Sequence, residues 1–469
     1  MDEYTITIIG GGFSGLMSTV HLVESAASPL RIHIIDNGSF PLGAAYATNQ
    51  QVHLLNVRAF NMSAFSTKPT DFVDWLHNQP TYAEIAEEQL RIQFIPRKTY
   101  GLYLQEIWES TKKLAQAKNV DIHIIQDTVV DLDGEANNYV VRLESGKTVT
   151  TNLIILATGH AAPSIPAFVP AALSEHPHFV TNPWTYNNML NPENPDICIL
   201  GSGLTMVDTV LGLLQSDSVG TIWFHSRKGL FPLSHEHYIK SDFLTIDDLP
   251  SLRLGDLIAA YKYWYKQLES EGKPGYLAID KFRPITQDIW KQFTPHEKKY
   301  FLRFLRTPYN VARHRIAHEI FQQLQAAMQM GRLRFIGGKL ETITSHSNHL
   351  SLEFNQSPQK QTIHVGKIIN CTGPGDSYRH LNNPVIKSII EKGFGVEDEI
   401  DLGLLVDDQF RVLGQGNAAS SIFATGVVIK GTLWESFAVP DLRKQIEQMI
   451  VSVLSVIEST TQSASFSNY

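Results

Sequence analysis

Apolar residues in this chain fall into short unbroken blocks and into longer stretches with helical spacing. The blocks Thr5-Ile6-Thr7-Ile8-Ile9, Leu153-Ile154-Ile155-Leu156-Ala157, Ile197-Cys198-Ile199-Leu200 and Lys367-Ile368-Ile369-Asn370 are short and nearly continuous. That pattern suits strands of a parallel sheet covered on both faces. Further strands are expected at 31–35, 121–132, 138–144 and 147–151, the last three set apart by the turn residues of 134–138 and Ser145-Gly146. Helices are expected over about 13–26, within about 71–118, and over about 433–457. After the block at 197 a comparable order recurs, with strands at 339–344, 349–354 and 361–365 leading into Lys367. Residues 229–335 interrupt this second copy with a mostly helical pattern. Such a recurrence is an internal duplication of topology.

The first strand runs into Gly10-Gly11-Gly12-Phe13-Ser14-Gly15, and the second copy into Gly201-Ser202-Gly203-Leu204-Thr205-Met206. Glycines suit these turns because the chain bends tightly and a side chain would keep a pyrophosphate from the backbone N–H groups. The helix that follows directs its positive end at that phosphate. The partner strands end at Thr158-Gly159 and Thr372-Gly373. Asp36 lies about twenty residues past Gly15, where a Rossmann-type site places a carboxylate on a ribose hydroxyl. Met206 stands where the second turn would carry its third glycine, which leaves the phosphate-facing Gly201 and Gly203 in place. Two such turns predict two bound dinucleotides. The fold class is therefore α/β, with two Rossmann-type three-layer dinucleotide-binding domains and a helical insertion in the second. The late strand Phe423-Ala424-Thr425-Gly426 must return to the first sheet. The first domain is accordingly expected as 1–165 plus 375–469, around a second domain of 166–374.

Composition narrows the function. The chain has 469 residues, 43% of them apolar and 18% charged, as in ordinary globular proteins. A net charge of −8 argues against a nucleic-acid partner. No apolar run reaches the roughly 18 residues of a membrane span, and the start shows no basic export region, so a cytoplasmic protein without a membrane partner is expected. The two cysteines, Cys198 and Cys371, form no C-x-x-C pair, which excludes dithiol chemistry of that type. No metal-ligand cluster is recognisable. Residues 252–334 hold 15 Lys and Arg against 7 Asp and Glu. That surplus fits solvated helix faces, or a cap that draws in an anionic substrate. The Ser/Thr-rich tail from Ser459 is expected to be disordered.

The strand Thr221 to His225 is followed by Ser226-Arg227-Lys228-Gly229. Where an NAD site wants an acid, this chain has two cations, and a guanidinium there can pair with a 2′-phosphate. NADPH is thus expected over NADH.

These residues resemble the FAD-NAD(P)-binding family of two-dinucleotide flavoproteins, relatives of the flavin-containing and N-hydroxylating monooxygenases. The resemblance rests on His53-Leu54-Leu55-Asn56-Val57, Met62-Ser63-Ala64-Phe65, Ile95-Pro96-Arg97, the second glycine turn through Val207-Asp208, Ser226 to Gly229, Arg313-His314-Arg315, and Gly431-Thr432-Leu433-Trp434-Glu435. It implies FAD in the first site and NADPH in the second. Better understood relatives include aspartate N-monooxygenases of the nitrosuccinate-synthase type and amine N-hydroxylases. Two departures stand out. Gly426 is followed by Val427 where such flavoproteins often carry an Asp for the ribityl chain. The Baeyer–Villiger fingerprint is also absent, its nearest match at Phe179 to Trp184 lacking both glycine and histidine.

With two nucleotides and no dithiol, the chemistry is expected to be the flavin's. The resemblance implies hydride transfer from NADPH, reaction of reduced flavin with O2 to a C4a-hydroperoxide, and hydroxylation of the nitrogen of a small amine or amino acid. The alternative is an NADPH:acceptor oxidoreductase whose acceptor is a quinone or a protein. The cofactor-binding set is Gly10, Gly12, Phe13, Ser14, Gly15, Asp36, Val129, Thr158, Gly159, Gly426 and Trp434 for FAD. For NADPH it is Gly201, Gly203, Leu204, Thr205, Arg227 and Lys228. Asn56 and Arg97 are flavin-side catalytic candidates, Arg97 offsetting negative charge on reduced flavin or pyrophosphate. Glu435, with Trp434, is expected to open the C-terminal helix towards the flavin pyrimidine. Arg313, His314 and Arg315 are candidates for binding an anionic substrate group.

Overall fold

The computed structural model describes residues 4–161, 163–185, 195–236, 242–373, 383–417 and 419–466. From the N-terminus, β1 (Tyr4–Ile9), β2 (Leu30–Asp36) and β3 (Val120–Gln126) are parallel neighbours. An antiparallel meander follows, made of β4 (Val129–Glu135), β5 (Asn138–Leu143) and β6 (Thr148–Thr151), before β7 (Leu153–Leu156) re-enters beside β1. The second half holds β8 (Phe179–Val180), β9 (Ile197–Leu200), β10 (Ile222–Ser226) and β11 (Leu333–Gly337). Then come a second meander, β12 (Lys339–Ser345), β13 (Leu350–Asn355) and β14 (Lys360–Val365), and the strand β15 (Lys367–Asn370). Last are β16 (Arg411–Leu413) and β17 (Ala419–Ala424).

Two main sheets result. The first runs β16-β17-β7-β1-β2-β3 and the second β11-β10-β9-β15-β8. The late β17 lies parallel to β7, with Phe423 opposite Ile155, so the chain does return to its first sheet. The boundary expected at 374/375 falls outside the described residues.

Burial explains the unbroken apolar strands. Every residue of β7, β9 and β15 is buried, because both sheet faces are covered: in the second sheet helices pack on Ile197 and Ile199, while the meander β12–β14 packs on Cys198, Leu200 and Ile368. Leu16, Met17 and Val20 of the helix Phe13–Ser25 share one core with Ile6, Ile8, Ile154 and Ile155. Ile446, Met449 and Val453 of the C-terminal helix complete it. The second core joins Ile197, Ile199 and Phe224 to Val207 and Val210 of the helix Leu204–Leu214, and to Ile320 and Leu324 of the helix His318–Gln329. The inserted helices have their own core around Trp290, Phe293 and Phe301, which takes in Leu402 and Trp434 from late in the chain.

Four expectations need correction. The stretch 121–132 is two strands in different sheets. Asp127 turns the chain between them, donating its N–H to the Asp36 carbonyl and accepting the Thr128 N–H on its side chain. The insertion ends before Leu333 rather than at 335, because β11 pairs in parallel with β10. The C-terminal helix spans Val439–Phe466 and not 433–457. Pro440 lies in its first turn, where a missing N–H costs nothing, and Glu435 at φ +62° cannot be helical. Lastly, that helix continues past Ser459, whose hydroxyl bonds back to the Val456 carbonyl.

Candidate functional site

The two glycine turns are built alike. Gly10 takes φ +105° and Gly201 φ +117°. A Cβ at Gly10 would stand 2.3 Å from the Ala157 carbonyl oxygen, and one at Gly201 2.5 Å from that of Cys371. Each turn thus presses on the end of the strand that carries the Thr-Gly pair. Gly12 and Gly203 are the N-caps of their helices, with no side-chain cap. The first-turn N–H groups there remain available to an anion, as a pyrophosphate needs. Nothing lies within 4 Å of a Cβ at Gly203. Over the first turn the chain folds back, and a Cβ at Gly43 would stand 2.8 Å from the Gly12 Cα. Asp36 anchors that return, accepting Gly11 N–H at 2.8 Å on one oxygen and Gly38 and Ser39 N–H on the other. Gly426, at φ +79°, completes this corner, with a Cβ there 3.7 Å from the Ser14 hydroxyl. Both donor sets fit a nucleotide.

One cleft of about 2270 Å³ joins the second turn to the rest of the molecule. Gly201, Gly203, Leu204 and Thr205 form part of its wall, with Arg227 and Lys228 exposed at the end of β10. Arg227 makes no hydrogen bond or ion pair among the described residues, whereas Lys228 reaches the Thr307 hydroxyl at 3.3 Å. From the first half come Asn56, Met62 and Arg97, and from the C-terminal helix Gln445 and Gln448. The insertion closes the far side.

Arg97 is tied across the two halves. Its Nη2 lies 2.9 Å from Asp208 Oδ2, both side chains being largely buried, and its Nε donates to the Leu54 carbonyl. His53 Nε2 reaches the Asp208 backbone carbonyl at 3.0 Å. Burial raises the Asp208 carboxyl pKa, and the Arg97 guanidinium opposes that rise. The Arg97 charge is therefore matched within the protein. Nearby, His235 donates to the Asn56 carbonyl at 3.3 Å, and burial with Arg315 and Arg58 pushes its pKa down to about 3.

Trp434 and Glu435 sit before the C-terminal helix, not in it. Trp434, 3% exposed, stacks on Trp290 at 4.7 Å between ring centres, while Trp290 Nε1 donates to the Gly431 carbonyl. Glu435, 4% exposed, accepts the Tyr309 hydroxyl at 2.6 Å and the Arg313 guanidinium at 3.2 and 3.3 Å. Burial works to raise the Glu435 pKa, but Arg313, His314 and the Tyr309 hydrogen bond outweigh it and hold it low. Its charge is spent on Arg313, so the expected helix-start carboxylate becomes an internal ion pair. The substrate trio divides the same way. Arg315 pairs with Asp280 at 2.5 Å, and His314 packs beside Phe437 with its pKa pushed down to about 4 by burial and Arg313. All three line the cleft; each arginine's charge is matched by a carboxylate, although Arg315 Nε and Nη1 are buried without a hydrogen-bond partner among the described residues.

Val129 is buried in the first core, and Thr158-Gly159 turns at φ +64° beside His160 on the cleft wall. Sequence reading missed Gln445. Its Oε1 accepts Gly426 N–H and the Thr425 hydroxyl, both at 2.8 Å, and its buried Nε2 has no partner among the described residues. It is the side chain that supports the Gly426 turn where Val427 replaces an acid. A glutamine inside a helix gave no signal. Asp208 and His53 were quoted within family motifs without a role. Their partners lie 111 and 155 residues away, too far apart in sequence for local pattern to show.

The family model described as FAD-NAD(P)-binding matches residues 7–161. No curated protein matches the chain. Among solved structures, an ornithine N-hydroxylase from Kutzneria sp. 744, solved with reduced FAD, NADP+ and L-ornithine, is similar at TM-score 0.65 and 14% identity, covering 97% of this chain and 99% of that one. The ornithine hydroxylase of Pseudomonas aeruginosa gives TM-score 0.66 and 16% identity over 96% and 98% of the two chains. The bacillithiol disulfide reductase of Staphylococcus aureus gives TM-score 0.56 and 13% identity over 97% and 99%. At these identities the likeness is one of fold, that of two-dinucleotide flavoproteins.

Proposed function

We propose that this chain, whose first third matches the FAD-NAD(P)-binding family model, is an NADPH-dependent flavoprotein that hydroxylates the nitrogen of a small amine or amino acid. The observation that carries the reading is the shared cleft. It brings the open turn at Gly203, Arg227 with no ion pair among the described residues, the 56–62 segment and the insertion to one cleft. Both hydroxylases above share the fold over nearly their whole length.

In this reading Gly12, Phe13, Ser14, Gly15, Asp36 and Gly426 hold FAD, and Gly201 to Thr205 with Arg227 and Lys228 hold NADPH. When bound, the two groups supply the reducing equivalents and the reaction with O2. The protein's share is to bind, orient and exclude water. Gly203 and Leu204 offer backbone N–H groups to the pyrophosphate, and Arg227 discriminates the 2′-phosphate. The tie Arg97–Asp208 fixes the second turn against the first half. Trp434, Phe437 and the insertion wall keep solvent from the cleft's inner end.

The second reading, transfer of electrons to a disulfide or other acceptor, draws on the reductase neighbour. Internal dithiol chemistry is opposed by the cysteines themselves. Both are buried, Cys198 in β9 and Cys371 just past the end of β15, and burial pushes the Cys371 thiol up to about 12 and Cys198 higher still. A transfer straight to a small acceptor is the surviving form. The two readings part on one experiment, in which purified protein with NADPH is assayed for amine-dependent hydroxylamine formation, and in parallel for amine-independent reduction of a quinone.

A further inference from the structure

The insertion's cations on the cleft wall are mostly spoken for. Arg313 binds Glu435 and Arg315 binds Asp280. Arg283, which opens the short turn Arg283–Ile285 on the same wall, makes no side-chain hydrogen bond or ion pair among the described residues. Asp441, in the first turn of the C-terminal helix, lines the same cleft, and its Oδ2 is buried without a hydrogen-bond partner among the described residues.

These two groups influence one another without touching. Burial and Arg313 lower the Arg283 pKa, and Asp441 is the strongest influence that favours its charge. Burial raises that of Asp441, and Arg283 is the strongest group working against the rise. Each ion is short of water and short of a contact partner, so each gains most from a ligand atom of opposite charge. A simple anion would satisfy Arg283 and be repelled by Asp441. A simple diamine would do the reverse. A molecule with both charges, at a separation the gap accepts, satisfies both.

We propose that Arg283 and Asp441 form a two-ended subsite for a zwitterionic amino acid, the guanidinium taking a carboxylate and the Asp441 carboxylate taking an ammonium. This rests on the functional reading above and narrows it, from amines in general to amino acids. It also moves substrate recognition from Arg313 and Arg315, whose charges are internal, to a pair that no sequence motif marks.

The test is calorimetric titration of the FAD-loaded protein, with NADP+ present, using four probes: L-aspartate, L-ornithine, cadaverine and succinate. At least one amino acid should bind the wild type, and roughly tenfold or more tightly than cadaverine and succinate. Arg283→Gln and Asp441→Asn should each weaken it roughly 10- to 100-fold, the loss expected for one charge-assisted hydrogen bond. Arg283→Lys should recover part of that loss. The proposal is overturned if no amino acid binds, if cadaverine or succinate binds as well, or if binding survives Arg283→Gln. Asp441 opens a helix, so a failure of Asp441→Asn to fold leaves the decision to the wild-type selectivity. Anaerobic reduction of the wild-type flavin by NADPH is followed separately. Its absence removes the functional reading, while its presence without amino-acid selectivity removes only the subsite.

Discussion

Arg97 and Asp208 meet at 2.9 Å between the helix Arg97–Ala117 of the first half and the helix Leu204–Leu214 that follows the second glycine turn. Asp208 lies four residues beyond the start of that helix, so the pair fixes where the second glycine turn sits against the first half. Breaking a buried pair strands the remaining charge. Arg97→Ala should therefore destabilise the protein by about 3–5 kcal/mol, and replacing both residues by apolar ones should restore most of that. Urea unfolding at neutral pH measures it. A loss below about 1 kcal/mol for the single variant contradicts the assignment.

Arg227, exposed at the end of β10 and without a hydrogen bond or ion pair among the described residues, lies on the cleft that holds the open second turn. Arg227→Ala should weaken NADP+ binding by about 1.5–3 kcal/mol, with NAD+ binding little changed. Titrating both nucleotides into the variant decides this. Equal losses would mean that Arg227 does not read the 2′-phosphate.

Gln445 carries the Gly426 N–H and the Thr425 hydroxyl on one buried oxygen. Gln445→Ala leaves both donors without an acceptor and should cost about 1–3 kcal/mol. It should also loosen FAD, because the Gly426 turn faces Ser14 of the first glycine turn. Thermal midpoint and flavin retained after gel filtration report the two effects. If both stay at wild-type values, the turn does not depend on Gln445.

Acid should act on histidines before carboxylates. The folded-state pKa values of His235 and His314 are pushed down to about 3 and about 4, against 6.5 for an ordinary histidine. As pH falls below 6.5 the unfolded chain takes protons that the folded chain refuses, so stability drops between about pH 6.5 and 4. Glu435, held below its usual 4.5, contributes stability above that pH, which is lost only at lower pH. Each histidine should account for on the order of 1–3 kcal/mol. Urea midpoints at pH 7.5 and 5.0 test this, and His314→Gln should flatten the difference. A wild-type midpoint unchanged between those values contradicts it.

Much of the fold was legible because parallel strands buried on both faces leave unbroken apolar blocks, as at Leu153 and Ile197, and because tight turns leave glycines. The split at Asp127 was not, since β3 and β4 are both strand-like and only their partners separate them. The start of the C-terminal helix was misplaced for a similar reason. Trp434 and Glu435 suit a helix locally, but Trp290 and Arg313, more than a hundred residues earlier, hold them in a turn. The basic residues at 313–315 were visible as charge, whereas their acids, Glu435 and Asp280, were set by tertiary packing alone. Arg283 shows the converse. Its sequence context is unremarked, and its place on the same cleft as Asp441 appears only in the folded chain.

The most direct test of the account is a coupling measurement. Protein reconstituted with FAD is given a limiting amount of NADPH and excess O2, with L-aspartate or L-ornithine present, and hydroxylamine and hydrogen peroxide are quantified together. The account predicts that NADPH is consumed faster than NADH and that hydroxylamine accounts for most of the NADPH oxidised when the right amino acid is supplied. Peroxide should then fall in step. Should all the reducing equivalents appear as peroxide with every amine or amino acid offered, while a quinone consumes NADPH rapidly, the chain is an acceptor reductase and the N-hydroxylase reading is wrong.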